Sequence, residues 1–388
     1  MMACRGFLEA YEAARLNNLE LPAIFEKRLP KVFDYIAGMT RPNGSLPSVN
    51  DSGGYQKRSP KKSDFLAYGA RLFDRLELLQ TPEGPYAGKS RVFPDAGMCI
   101  LASGTNHDAR WLLFDGGRPG AAHRHDDALS IEVFAHGYPF IVDPGITGYL
   151  RDDWTAYYRS TFSHNTIIVN GKDQIESSRT GHHSTLSARD ALQTRLGQTF
   201  DLVRAAYEGG YRDLPDGIRH TRSVLFVRDA YWIVFDEIAG PGTTDIETRF
   251  QFVPCRLVVD RRCKTFRTLR QDMPNMEIIV PGPPRGTRLT VATGDVSPVG
   301  GWVSDGEDQP APQARIRVRR TQPDDTSPVR LVTVLTPFAQ GLSSGMRCRR
   351  RHDPAAPDIA LLDIRQCGRP AHHVKYSFAN GQAEVTTS

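Results

Sequence analysis

The chain has 388 residues, 39% hydrophobic and 24% charged, a composition that predicts a globular protein with a real core and excludes a disordered or collagen-like chain. Its formal net charge of +5 is compatible with an anionic partner without demanding one. No apolar run reaches the roughly eighteen residues a membrane-spanning helix needs, so no membrane span is expected.

At the N-terminus, MMACRGFLEAYEAARL is interrupted by Glu9, Glu12 and Arg15, which leaves no apolar stretch of signal-peptide type. From Ile24 the apolar positions Ile24, Phe25, Leu29, Val32, Phe33, Ile36 and Met39 fall on one helical face. Pro30 is expected to kink that helix or move its start. The segment RPNGSLPSVNDSGG (41–54) breaks the pattern. A further helix then carries Phe65, Leu66, Leu72, Phe73, Leu76 and Leu79, with Ser63 as its expected cap.

From about residue 90 the period changes to two. RWLLFDGG, LSIEVFAHGYPFIVDPG, HNTIIVNG, RSVLFVRDAYWIVFDEI, ETRFQFVP, RIRVRR and VRLVTVLTP read as strands between turn residues. The predicted fold class is α+β: a few helices at 1–80, then a large antiparallel β-sandwich at 81–388. The six cysteines form no Cys-x-x-Cys, and Cys255–Cys263 or Cys348–Cys367 disulfides stand beside free thiols as open alternatives.

The chemistry concentrates in HRHDDALSIEVFAHGYPFIVDPG (123–145). In an extended chain His123 and His125 share a face, and neutral imidazole is a common metal ligand. If His136 and Gly137 form a two-residue turn, Asp143 pairs opposite Ser130, within reach of a curled-back His125. His164 opens the next apolar run and offers a third donor. The plainer reading makes Asp143-Pro-Gly a turn whose carboxylate caps backbone N–H groups, His136 a turn residue, and Asp126 and Asp127 loop hydrogen-bonders. His182–His183 and His372–His373 read as surface pairs. Tyr157, Tyr158 and Arg159, in the aromatic segment that also holds Tyr149 and Trp154, can stack on sugar rings and hold a carboxylate, or simply pack the rim. Arg315, Arg317 and Arg319 on one strand face, and Arg347 with Arg349–Arg351, can attract a polyanion or form solvated faces. No nucleic-acid motif is present.

HRHDDALSIEVFAHGYPFIVDPGITGY followed by YRSTFSHNTIIVNGKDQ resembles the heparinase II/III-like polysaccharide lyases. In these an H-x-H-x-D-x-L-S block, a D-P-G turn and an R-S-T-x-x-H-N-T block come in this order, with a trailing G-x-x-Q. FPDAGMCILASG and the Asn50-Asp51-Ser52 loop also fit, and the similarity is strongest over 93–174. The resemblance implies the tail of an (α/α) toroid before the sandwich, with a substrate cleft between them. It implies zinc, mainly structural, on His125, Asp143 and His164, with His123 as the catalytic histidine. Asn50, Tyr157, Tyr158 and Arg159 are then the substrate-binding candidates.

The implied reaction is β-elimination on a uronic-acid polysaccharide such as a heparan-type chain or alginate, and the implied setting is periplasmic or secreted. In that family a catalytic tyrosine and a neutralising Asn or His lie upstream in the toroid, whereas Tyr11 is the one tyrosine of the first 30 residues and its context does not match. The expectation is therefore a lyase homologue incomplete for catalysis as written, with the toroid missing or supplied by another chain, and a homo-oligomer compatible. The competing class is a non-catalytic, metal-stabilised carbohydrate-binding or scaffolding sandwich. A metallohydrolase with Asp126 or Asp127 as base is the third reading.

Overall fold

The computed structural model describes residues 2–53, 61–78, 88–117, 123–150, 152–174, 192–283, 286–305, 309–321, 328–339, 341 and 343–388, with backbone alone at 2–5 and 61–64. His182 and His183 lie outside these residues.

Three helices come first: α1 (Met2–Leu16), α2 (Ile24–Met39) and α3 (Lys61–Leu72). The apolar stripe predicted from Ile24 is the buried face of α2, and the helix runs through Pro30 rather than starting after it. Helix α3 begins at Lys61, so Ser63 falls inside its first turn instead of capping it. The helices share a core of Leu8, Tyr11, Leu29, Phe33, Ile36, Leu66 and Ala70. A Cβ at Gly69 would sit 2.2 Å from the Phe33 ring, so this close α2–α3 contact requires glycine.

Five strands follow as an antiparallel meander: β1 (Lys89–Phe93), β2 (Met98–Ser103), β3 (Arg110–Asp115), β4 (Ile131–Ala135) and β5 (Tyr138–Ile141). Strands β2, β3 and β4 are buried on both faces, which explains their near-continuous apolar sequence. Met98, Ile100, Trp111, Leu113 and Phe134 face the helical side with Met39. The alternate residues Leu101, Leu112, Phe114, Ile131 and Val133 enter the main sandwich core.

That core is closed by two more sheets. One has four strands, including β6 (Ile167–Val169), and the other has eight, including β7 (Gln193–Leu196), β8 (Phe200–Tyr207), β9 (Arg219–Val227) and β10 (Tyr231–Ala239). Strand β11 (Asp245–Gln251) pairs with β6, and a bridge from Ile141 to Phe252 joins its end to β5. The back of the eight-stranded sheet does not face solvent. Leu225, Ile233, Phe235 and Val334 pack there on Leu362, Val374, Tyr376 and Phe378 of a C-terminal four-stranded meander. The α+β sandwich is thus as expected, with the C-terminal sheet layered behind the eight-stranded one.

One open alternative is decided and one expectation is corrected. Cys99, Cys255, Cys263, Cys348 and Cys367 are free thiols, so neither Cys255–Cys263 nor Cys348–Cys367 is bridged. The arginines at 315 and 319 do not present bare charge: Arg315 is buried against Asp295, and Arg319 pairs with Asp245.

The connection from α2 to the sheet is held by charge. Arg41 and Glu132 form a fully buried ion pair across 91 residues of sequence. The other Glu132 oxygen accepts the Ser48 N–H at 3.0 Å, and Arg41 donates to Leu46 O at 2.9 Å. Glu132 lies on β4, so this pair fixes the 41–52 segment against the sheet that carries the 123–130 loop. Removing one member of a buried pair strands the other charge, at a cost of about 3–5 kcal/mol. Arg41→Met should therefore lower the urea midpoint sharply, and the double variant Arg41→Met/Glu132→Met should recover most of the loss. Equal losses in both proteins would contradict this role for the pair.

Candidate active site and cation centre

The site is assembled from four segments: the 46–52 loop, the 123–130 loop leading into β4, the Asp143–Gly145 turn after β5, and the 153–166 segment before β6. His136 and Gly137, with φ of 49° and 80°, do form the two-residue turn expected between β4 and β5. The further extrapolation of Asp143 opposite Ser130 fails. The register slips between Val133 and Phe134, and β5 ends at Ile141, so Asp143 belongs to no ladder.

The polar residues of the recurring sequence blocks act mainly as fasteners. Asn165 donates to Ile131 O at 2.9 Å and Val142 O at 3.0 Å, and its side-chain oxygen accepts from Gln251 N–H. Thr166 donates to Ala128 O at 2.7 Å. Gln174 accepts the Ala128 N–H at 2.9 Å and donates back to Ala128 O at 3.1 Å. All three are fully buried, and together they supply partners that a buried loop backbone would otherwise lack. From the opposite sheet, Arg222 on β9 donates to Leu129 O at 2.7 Å and Asn165 O at 2.6 Å.

Asp51 is the hub of the site. One carboxylate oxygen meets His123 Nδ1 at 2.6 Å and Arg159 at 2.9 Å, and the other meets His125 Nε2 at 2.9 Å. Burial pushes this carboxyl up, but the bonds from His125, His123 and Arg159 outweigh it and hold the group well below the usual carboxylate range. His123 and Arg159 stay accessible, with 61% and 40% of their side chains exposed. Exposed Tyr149 completes that surface: its ring lies edge-on to His123 with centroids 5.9 Å apart and 5.9 Å from the Arg159 guanidinium carbon.

Beneath this surface the rings of His125 and His164 lie 5.1 Å apart between centroids and tilted by 45°, both buried. His164 Nδ1 is 2.7 Å from one Asp143 oxygen, while the other oxygen accepts the Gly145 N–H at 3.0 Å. His125 Nδ1 and His164 Nε2 have no partner among the described residues. Ligand atoms of His125, Asp127 and His164 all lie within 4.8 Å of one another. Burial lowers the His164 imidazole to about 3 and also lowers His125, so both are neutral. Burial raises Asp143 to about 7 and lifts Asp127 far up, with Asp115 and Asp143 adding like charge. Two buried imidazoles with orphaned nitrogens beside buried carboxylates fit a divalent cation.

The structure therefore brings His123, His125, Asp143, His164 and Arg159 together, with Asn50 beside Asp51 at a φ of 53°. It places a further buried carboxylate beside the expected trio. Asp143 meets His164 and caps Gly145, while Asp127, read from sequence as a loop hydrogen-bonder, lies within 4.8 Å of ligand atoms of His125 and His164. It also removes two substrate-binding candidates. Residues 153–159 form helix α4 (Asp153–Arg159), capped by Asp152, which accepts the Thr155 N–H. This turns Tyr157 and Tyr158 into the interior. The Tyr157 hydroxyl is occupied by the backbone of Gly301 and Trp302. Their ring stacking on a sugar is excluded by burial, and Tyr149 is the aromatic at the surface.

A large antiparallel sandwich that joins a His-x-His loop, an Asp-Pro-Gly turn and a His-Asn-Thr strand start is the C-terminal domain of heparinase II/III-like proteins. Residues 87–332 match the family described as heparinase II/III-like, C-terminal, and the chain belongs to it. It is 24% identical over 258 residues to a heparin-sulfate lyase of Pedobacter heparinus, and 26% identical over 274 residues to one of Bacteroides thetaiotaomicron. Each match takes in 63% of this chain but only 36% and 37% of those relatives, so the chain spans well under half their length. In structure it superposes on a heparan sulfate lyase from Pedobacter heparinus with a TM-score of 0.78 at 19% identity, over 100% of this chain and 57% of that one. A heparinase III gives 0.79 at 18%, over 97% and 57%.

A group whose folded pKa is depressed contributes stability above its unfolded value, near 4 for Asp, and loses it as pH falls below that. The urea midpoint of wild type should therefore fall more between pH 7 and pH 3 than that of Asp51→Asn. Identical falls would mean that Asp51 is not held ionised by its three partners.

Proposed function

We propose that this chain supplies the sandwich-borne half of a centre that cleaves a uronic-acid-containing acidic polysaccharide by β-elimination. The single observation that carries the reading is the convergence of His123 and Arg159 on buried Asp51 at an exposed surface. Membership of the heparinase II/III-like family, and the lyase names of its relatives, support it.

β-Elimination removes the proton beside the uronate carboxylate and expels the 4-linked sugar oxygen, so it needs a base, an acid and a partner for the carboxylate. Asp51 accepting from His123 Nδ1–H leaves the Nε2 lone pair to face substrate as the base or to assist at the carboxylate. Arg159 spends one nitrogen on Asp51, and the rest of its guanidinium meets the sugar carboxylate, with Tyr149 stacking beside it. Asn50 lies at the same rim. His125, Asp127 and His164 would hold a divalent metal such as zinc, with Asp143 orienting His164. Its contribution when bound is to neutralise the buried carboxylates and lock the loops that carry His123. Arg222, Asn165 and Gln174 keep those loops in place by backbone hydrogen bonds.

Incubated with heparan sulfate, heparin or alginate in a polypeptide that also carries the helical half of the centre, the chain should release unsaturated uronates that absorb in the ultraviolet, and His123→Ala should slow release about 100- to 10,000-fold. No ultraviolet signal on any uronate, with polysaccharide binding retained, would replace this reading by a carbohydrate-binding sandwich.

A further inference from the structure

A second group of metal-type donors lies at the other end of β4, about 15–20 Å from the 123–130 loop by strand rise. His107 and Asp108 sit in the loop between β2 and β3, and His136 in the turn between β4 and β5. Ligand atoms of the three lie within 4.8 Å of one another. His136 Nδ1 is 3.0 Å from an Asp108 oxygen, and His107 Nδ1 is 3.7 Å from the same oxygen. With bonds of about 2.0–2.2 Å to a tetrahedral zinc, neighbouring donors stand about 3.4 Å apart. The observed separations bracket that value.

Backbone contacts preorganise the group. The His136 N–H donates to Ala109 O at 3.2 Å and stitches the turn to the loop. Asn106 accepts the Asp108 N–H at 3.1 Å, and Arg110 donates to Asp108 O at 3.2 Å. The His107 ring lies over Gly137, where a Cβ would come 3.4 Å from Nε2. His136 is only 5% exposed, and its Nε2 has no hydrogen-bond partner among the described residues. A neutral buried imidazole keeps one lone pair whichever nitrogen holds the proton. His107 and Asp108 are largely exposed, so a cation would keep water in its remaining positions.

We propose that His107, Asp108 and His136 form a second divalent-cation site, which staples the β2–β3 loop to the β4–β5 turn. Two imidazoles with one carboxylate select zinc, cobalt, nickel or copper over calcium and magnesium, which prefer all-oxygen sets. The turn role of His136 and a ligand role are compatible, because the turn is what aims its ring at the neighbouring loop.

The test counts zinc or cobalt bound by the full chain after chelation and dialysis, in wild type and in His107→Ala. His107 is exposed, so its truncation leaves the fold intact, and circular dichroism checks this. His107→Ala should bind one equivalent fewer than wild type, while calcium titrations of the two should coincide. Equal zinc stoichiometry in both proteins, including none in either, overturns the site. Both keep His125, Asp127 and His164, so the difference reads this site alone.

Discussion

A single guanidinium holds the site together. Arg222 is fully buried in the middle of the sandwich, and its Nε and one terminal nitrogen grip both oxygens of Asp236 at 2.7 and 3.1 Å. The other terminal nitrogen donates to the carbonyls of Leu129 and Asn165, one from each loop that carries the buried histidines. His220 adds a contact to Asp236 at 2.8 Å. A charge so deep is tolerable because it is both paired and hydrogen-bonded. The arrangement fastens two loops from one sheet to the strands of the opposite sheet. It also supports the left-handed backbone of Leu129, with φ of 65°, a conformation costly for a branched side chain unless its surroundings enforce it.

From this clamp the site reads outward in layers. Asn165, Thr166 and Gln174 satisfy the loop backbone, His125, Asp127 and His164 converge above them, and Asp51 closes the top. Asp51 comes from the segment that the buried Arg41–Glu132 pair fixes against β4. The exposed face is then His123 and Arg159, both held from beneath by Asp51, with Tyr149 set against them. Such a layering gives exposed side chains a fixed geometry, which is what positioning a charged sugar demands.

Much of this was legible in the residues themselves. The change of period near residue 90, the helical stripe of α2 and the His136–Gly137 turn depend on local sequence, and the structure follows them. The C-terminal sheet behind the eight-stranded one was not legible, since a strand buried on both faces looks the same whichever layers cover it. Nor was the burial of Asp127 beside the two histidines. Whether a carboxylate in Asp126-Asp127 faces water or an inner cavity is decided by Arg222 and Gln174, which lie about 50 to 95 residues away. The choice between sugar stacking and packing for Tyr157 and Tyr158 turns on α4, a seven-residue helix too short for a clear sequence signal, which points both rings inward. Asp51 sat in the Asn50-Asp51-Ser52 loop that carried part of the resemblance, yet its three partners lie 72 to 108 residues away, and no spacing rule links them.

The claim that most depends on this geometry is the cation centre of His125, Asp127 and His164, with Asp143 as the residue that orients His164. Anomalous diffraction at the zinc edge, on crystals of the zinc-loaded full chain, tests it directly. The account predicts a peak about 2.0–2.2 Å from ligand atoms of His125, Asp127 and His164. An empty position there, or a zinc coordinated by Asp143 with Asp127 turned away, would contradict it.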